Sequence, residues 1–218
     1  TALIYRLPIP VQPMKAMAAI AMTRAVTPAM LAAGGVLTGV ALLVLGLTGL
    51  ITKFARIVPQ SVIAGLQLGL GLALGAVALE LMAGQPAIGA LVLAVLALMF
   101  VAPKLPTALL GVAVAIVLGQ FFGVENTALG TVNALSLADL WPTLDELEGS
   151  ISHLVLPQLA LTLTNAVLLT ALIAGDYFGE RAEHVTPPRL ATTSGLANIA
   201  LAPFGALPMC HGAGGLAA

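Results

Sequence analysis

Charged residues are scarce in this chain, at 8% of 218 residues, whereas the apolar share is 60%. A soluble domain of this size could not hide so much apolar surface, because its outer shell must meet water. In a bilayer the outer shell faces lipid and this restriction disappears. The composition therefore predicts an all-α polytopic membrane protein whose first partner is the lipid bilayer.

Cysteine and basic charge are also scarce. A single cysteine, Cys210, allows no disulfide within the chain, and a formal net charge of -1 provides no basic field for nucleic acid. No Walker-type phosphate loop occurs, so we do not expect ATP-driven transport within this chain. We likewise expect no nucleic-acid partner, no cofactor and no metal site.

Both ends of the chain look interrupted. It opens at Thr1 without a methionine or a signal segment, and it closes at Ala218 inside a Gly/Ala-rich apolar run. We therefore interpret residues 1–218 as an internal fragment of a longer transmembrane domain.

Proline and glycine, in contrast, are frequent, with 14 and 23 residues, and prolines open several apolar runs. A span requires roughly 20 apolar residues, and Thr27-Pro28 and Thr186-Pro187 each supply a cap residue and a first-turn proline. The pattern predicts a half-helix at each end of the chain and a series of full spans between them. Their approximate ranges are 7–24 for the first half-helix, then 28–50, 59–82, 86–102, 106–123, 151–175 and 187–203, and 208–218 for the start of the second half-helix.

The stretch 124–150 differs from its surroundings, because it carries acidic residues and no lysine or arginine. Lysine and arginine in short loops mark the cytoplasmic side of a membrane protein. Numbering the sides alternately places Arg24 and this acidic stretch on one side. We therefore predict that 124–150 is an extracytoplasmic loop. The basic residues assigned to the opposite, cytoplasmic side are Arg6, Lys53, Arg56, Lys104, Arg181 and Arg189.

Two proline-broken segments lie near the ends of the chain, at 7–16 and 203–215. Proline fixes φ and lacks a backbone donor, so residues 8–12 must be extended. Non-helical backbone at membrane depth is tolerated only where protein or an aqueous cavity surrounds it. Paired discontinuous helices of this kind mark the midplane binding site of inverted-repeat transporters.

A helix that begins inside the membrane leaves free N–H groups and a partial positive charge at its N-terminus. Two such ends facing each other would form a site for an anion. Lys15 falls in the first turn of the first half-helix, an unfavourable place for a cation unless an anion is bound. Gly212 and Gly214 would let an anion approach the backbone of the second. The alternative for Lys15 is an anchor at the membrane interface.

The span 151–175 contains an unusually polar patch. Gln158, Thr162 and Asn165 follow i, i+4, i+7 spacing and share one helix face. Such residues normally point to the protein interior, where they either bond neighbouring helices or line a substrate cavity. The candidate substrate-binding residues are Gln12, Met14, Lys15, Gln158, Thr162, Asn165, Cys210, His211, Gly212 and Gly214.

Several of these candidates have a purely structural alternative. Cys210 is a small residue that packs well, and His211 can donate hydrogen bonds between helices. Gln12, beside the first break, can satisfy local backbone groups. The glycines can serve close helix packing, which does not exclude an approach by substrate.

Two motifs in these segments resemble the signature motifs of the molybdate/sulfate transporter family, a distant relative of the SulP sulfate permeases. They are Pro8-Ile9-Pro10-Val11-Gln12-Pro13-Met14-Lys15-Ala16 and Pro208-Met209-Cys210-His211-Gly212-Ala213-Gly214-Gly215. The stretches from Pro157 to Ala166 and from Gly65 to Gly71 are similar to the same family. The resemblance runs along nearly all of the chain.

The resemblance implies the seven-plus-seven inverted-repeat fold of SulP and nucleobase permeases, in which two half-helices meet at the substrate. It implies a secondary active transporter for a tetrahedral oxyanion, molybdate or sulfate, in a bacterial inner (plasma) membrane. A coupling proton or cation and a homodimeric assembly are further partners that this interpretation allows.

Other function classes can account for some of these features. A permease of the same fold could carry a nucleobase or bicarbonate, and a broken-helix membrane protein could be a scaffold or channel subunit. An intramembrane enzyme would use Cys210 and His211 as nucleophile and base. Adjacent residues rarely present both side chains to one reactive atom, and no third orienting group is evident, so we expect no enzyme.

The predicted topology can be tested by cysteine labelling at Asn133, in the middle of the acidic stretch, with Cys210 replaced by alanine. A membrane-impermeant maleimide should label this position in intact cells, because the stretch lacks the positive charges that hold a loop in the cytoplasm. Labelling only after cell lysis would show that the orientation is inverted.

Overall fold

The computed structural model describes residues 2–57, 60–98, 102, 107–121 and 140–217. The chain divides into two compact units. The first combines Thr1–Gly71 with Ala134–Ala218, and the second is Leu72–Asn133. All the predicted site residues lie in the first unit.

The described chain is mostly helical. Two short strands, β1 (Val11–Pro13) and β2 (Met209–His211), lie in the two proline-broken segments. The helices are α1 (Ala2–Tyr5), α2 (Lys15–Thr23), α3 (Pro28–Leu47), α4 (Leu50–Ile57), α5 (Gln60–Gly84), α6 (Pro86–Ala97), α7 (Thr107–Phe121), α8 (Leu144–Gly149), α9 (Leu156–Leu161), α10 (Thr170–Phe178), α11 (Pro187–Leu201) and α12 (Gly214–Ala217).

The helices α8, α9 and α10 follow one another directly, and with a final 3-10 turn they form the helical segment Leu144–Ala182, which we call the long helix. Two π-helical stretches, Ser150–Val155 and Thr162–Leu169, join its parts. Among the described helices, α3 and the long helix are long and apolar enough to cross a membrane. Shorter apolar helices cover Gly75–Gly84, Pro86–Ala97 and Leu109–Phe121.

The long helix begins earlier than the sequence indicated, within the predicted extracytoplasmic loop 124–150. Its start is a capping box: the Glu146 N–H donates to Thr143 Oγ1 at 3.3 Å, and the Thr143 N–H donates to Glu146 Oε2 at 2.8 Å. This reciprocal arrangement satisfies two otherwise unpaired donors and lets the helix start outside the apolar run. The part of the predicted loop from 124 to 139 lies outside the described residues.

Glu146 also joins the starts of two helices. The Thr27 hydroxyl, which caps α3 by accepting from the Met30 N–H, donates to Glu146 Oε1 at 2.6 Å. The N-termini of α3 and of the long helix therefore lie together. The distribution of lysine and arginine in the sequence predicts that both lie on the extracytoplasmic side.

The two half-helices begin later than predicted. In the range 7–24 only Lys15–Thr23 is helical, because the prolines hold the preceding residues extended and three of them form β1. Pro208, expected to open the second half-helix, instead precedes β2, and α12 begins at Gly214. Both predicted ranges start too early, since each segment forms a strand before it turns into a helix.

The strands β1 and β2 pair antiparallel, although nearly the whole chain separates them. The register sets Val11 opposite His211, Gln12 opposite Cys210 and Pro13 opposite Met209. The Met14 N–H extends the pairing by donating to the Pro208 carbonyl at 2.9 Å. The two broken segments thus lie side by side, an arrangement that we call the strand crossing, and α2 and α12 follow from opposite ends of the pair.

Small residues let α3 pack closely against α11 beneath this crossing. A Cβ added at Gly195 would lie 2.7 Å from the Gly39 carbonyl oxygen, and one added at Gly39 would lie 2.9 Å from the Gly195 carbonyl oxygen. Gly35 faces Ala202 and Pro208 in the same way. Contacts between backbones of this kind depend on small residues, as in other membrane helix pairs.

Replacement of Gly195 by alanine should therefore destabilise the protein, because the new methyl group meets rigid backbone. Overpacking typically costs about 1–3 kcal/mol. Gly175→Ala is the matched control, since a Cβ there would have no neighbour within 4 Å. Thermal unfolding in detergent should show a lower midpoint for Gly195→Ala and an unchanged or higher one for Gly175→Ala. Equal midpoints for both variants would contradict the close packing of α3 and α11.

Candidate functional site

Asn198 of α11 holds β2 in place. Its Nδ2 donates to the Met209 carbonyl at 2.7 Å, and its Oδ1 accepts from the Met209 N–H at 2.8 Å. The buried Asn198 amide therefore pairs with the backbone groups on the outer edge of β2, as a neighbouring strand would. This fixes the strand against α11 without a third strand.

Gln12 and Gly212 lie in close contact beside the strand pair. The Gln12 side-chain amide fills the space that a Cβ at Gly212 would occupy, so a larger residue there would require Gln12 to move. Gly215 gives room to the Pro10 ring in a similar way, at 2.8 Å from a notional Cβ. Gly214 is exposed and has open space around it. The glycines of the second motif thus serve close packing at two positions.

The N-terminus of α2 is capped by a side chain from the long helix. Gln158 Oε1 accepts hydrogen bonds from the Ala16 N–H at 2.9 Å and the Met17 N–H at 3.3 Å. Gln158 Nε2 donates to Thr162 Oγ1 at 2.8 Å, one turn along the same helix. Met14, the residue before the helix, makes no side-chain cap itself. Gln158 therefore both bonds a neighbouring helix and lies at the predicted site.

A small cavity of about 10 Å³ lies beside this cap. Its polar lining consists of five of the ten candidate residues, which come from both broken segments and the long helix. Leu161 and Ala166 complete the wall. The five are Gln12, Lys15, Gln158, Asn165 and Cys210.

A much larger cavity of about 580 Å³ lies elsewhere in the first unit, between α3, the start of the long helix and the 203–204 region. Its lining side chains are aliphatic or aromatic, including Trp141 and Phe204. It has no charged side chain for an anion, and its one side-chain donor is the indole N–H of Trp141. Of these two cavities, only the small one has a charged side chain in its wall, that of Lys15.

The other candidates occupy different places. Met14 is 1% exposed and belongs to an apolar cluster with Met17, Leu154 and Cys210. Thr162 is fully buried and supports Gln158. Neither lines the cavity.

His211 lies on the opposite face of β2 from Cys210, as alternation along a strand requires. Its Nε2 lies 3.1 Å from Thr193 Oγ1, which in turn shares a hydrogen bond of 2.8 Å with the Tyr5 hydroxyl. The Tyr5 and His211 rings meet edge to face, with centroids 5.7 Å apart. Cys210 and His211 therefore do not face a common reacting atom, which removes the geometry that the nucleophile–base interpretation needs.

Sequence reasoning missed Asn198, Thr193 and Tyr5. A signal for the first two was present, because they are polar residues inside the predicted span 187–203. Their spacing does not identify a partner, since both bond to segments brought close only by the tertiary fold. Tyr5 precedes the first motif and carried no signal.

The sequence of the chain matches a known protein family. Residues 1–74 and 150–218 match the model of the family described as Molybdate transporter of MFS superfamily. No solved structure matches the chain. The matched residues include both strands, α2, α3, almost the whole long helix and α11.

The chain is also similar to curated plant and algal proteins. It is 27% identical to Molybdate transporter 2 and 28% identical to Molybdate transporter 1 of Arabidopsis thaliana, with all of the chain aligned to 57% and 58% of those proteins. Molybdate transporter 1 of Chlamydomonas reinhardtii is 34% identical over 53% of the chain and 23% of its own length. The chain thus spans less than two thirds of these relatives, and their sources give no support to a bacterial inner membrane.

The family description names the MFS superfamily, so the expected relation to the SulP permeases has no support from these matches. The matches do agree with the apolar helices and with the family likeness of the two proline-broken motifs. The chain is that of an integral membrane protein and belongs to the molybdate transporter family of the MFS superfamily.

Proposed function

We propose that the full-length protein is a secondary active transporter that binds a tetrahedral oxyanion beside the N-terminus of α2. The observation that carries the proposal is the convergence of Lys15, in the first turn of α2, with four polar residues at the cavity. The relatives are named molybdate transporters, which favours molybdate; sulfate, a dianion of the same shape, is the second substrate to test.

The electrostatics of the site favour an anion. A half-buried lysine at a helix N-terminus adds its charge to the positive end of the helix dipole. A dianion would compensate both charges and accept hydrogen bonds from the ammonium group. Gln12 and Asn165 can add amide donors, and their position on separate elements would let the anion hold these elements together.

A transport mechanism follows if the strand crossing is the centre of an inverted repeat. Discontinuous helices of such transporters present their N-termini to the substrate at the membrane midplane, and one bundle rocks against the other around that fixed site. The pairing of β1 with β2 supports this interpretation, because it joins two discontinuous segments from opposite ends of the chain. Gly214, at the start of α12, would then approach the anion from the second side. The coupling proton or cation and a homodimeric assembly belong to the same proposal.

Lys15→Met should remove most oxyanion binding while the fold is retained. A hydrogen bond to a charged group contributes about 1.5–3 kcal/mol, which corresponds to binding that is roughly 10- to 100-fold weaker. Lys15→Arg should be tolerated only in part, because a planar fork replaces a compact charge. The measurement is the thermal stabilisation of the purified full-length protein by molybdate, and by sulfate in parallel.

Arg24→Met is the matched control, since it removes the same charge at the far end of α2. It should keep the wild-type stabilisation by molybdate. If Lys15→Met keeps it as well, Lys15 is an interfacial anchor and the site assignment is wrong.

A further inference from the structure

The first N–H groups of α2 already have a hydrogen-bond acceptor in the protein. Gln158 Oε1 receives both the Ala16 and the Met17 N–H groups, and the Gln158 side chain is almost fully buried at 2% exposure. An oxyanion bound at this helix end would place its own oxygens at the same donors. The amide oxygen and the substrate therefore need the same position.

The N–H groups of α2 fix the orientation of the Gln158 amide, and Thr162 pairs with its other end. Thr162 Oγ1, with no exposed surface, accepts from Nε2, while Oε1 points to α2 and the amide nitrogen points away. The Thr162 hydroxyl could pair with either end of the amide, so the α2 N–H groups, which only donate, make Gln158 an acceptor and Thr162 pairs with its nitrogen. A reversed amide would direct N–H donors at N–H donors and lose both bonds.

The small size of the cavity also indicates that Gln158 moves when an anion binds. A volume of about 10 Å³ corresponds to about one water-sized probe. An anion with four oxygens around a central atom needs more space, so a lining side chain must move when it binds. Movement of Gln158 would enlarge the cavity and release the Ala16 and Met17 N–H groups together, whereas movement of Asn165 would only enlarge it.

We propose that Gln158 is a positioning residue that competes with the substrate: its amide oxygen caps α2 and must leave before the oxyanion can take the same N–H groups. The inference rests on the proposed function and adds the sign of the effect that Gln158 has on substrate affinity. Gln158 lowers the affinity of the site while it keeps the buried donors of α2 paired. It thereby sets a weak affinity that suits the release of substrate during transport.

Gln158→Ala tests the sign of this effect in the full-length protein. Removal of the competing oxygen should lower the Kd for molybdate roughly tenfold, because the anion no longer displaces a hydrogen bond. The midpoint of thermal unfolding without added molybdate should fall, since two buried donors lose their acceptor. Isothermal titration calorimetry with sodium molybdate and unfolding scans supply the two readouts.

Gln158→Glu should act in the opposite direction. A carboxylate still accepts from both N–H groups and suits the helix dipole, so the unfolding midpoint without molybdate should be unchanged or higher. Molybdate binding should be lost, because the fixed negative charge repels the dianion. This variant keeps the inference testable if Gln158→Ala does not fold.

Asn165→Ala is the control for cavity size, because it enlarges the same cavity without releasing α2. It should bind molybdate no more tightly than the wild type. A tenfold gain in Asn165→Ala would show that volume alone limits binding and would overturn the inference. Weaker binding by Gln158→Ala, or wild-type binding by Gln158→Glu, would overturn it too. A wild type that binds no molybdate would contradict the proposed function, and this inference together with it.

Discussion

The antiparallel pairing of β1 with β2 is the contact on which the rest of the site depends. Only three residue pairs form it, and a two-stranded ribbon of this length is not stable alone. It persists because neighbouring helices complete it: Asn198 satisfies one edge of β2, and the cluster of Met14, Met17 and Leu154 packs below. The strand pair can therefore form only when the surrounding helices of the first unit have packed correctly.

The crossing also determines which side chains meet. Alternation along β2 turns Cys210 to the cavity and His211 to Thr193 and Tyr5, so that neighbouring residues serve different environments. The turn from β1 into α2 places Lys15 at the cavity wall, and the long helix faces it with Gln158 and Asn165. Small residues at Gly35 and Gly39 let α3 and α11 approach closely enough to support the strands. Without the crossing these polar groups would lie on separate helices with no common site.

The sequence predicted the class of protein and the two broken segments, because composition and proline spacing act locally and leave direct traces. The i, i+4, i+7 pattern also placed Gln158, Thr162 and Asn165 on one face, although it could not show that Gln158 caps another helix. Tertiary partners were beyond such reasoning: Asn198 bonds to Met209 only after α11 and β2 have packed together. The early start of the long helix was missed because a hydrophobic-run criterion ignores capping boxes in polar sequence.

The most direct measurement is the position of bound molybdenum in an experimental structure of the full-length protein with molybdate, located by its anomalous scattering. The account predicts a single strong peak within hydrogen-bonding distance of the Lys15 ammonium group and the first N–H groups of α2, with the Gln158 side chain turned away from them. A molybdenum peak at another place in the protein, with β1 and β2 paired and the α2 N-terminus still capped by Gln158, would contradict it.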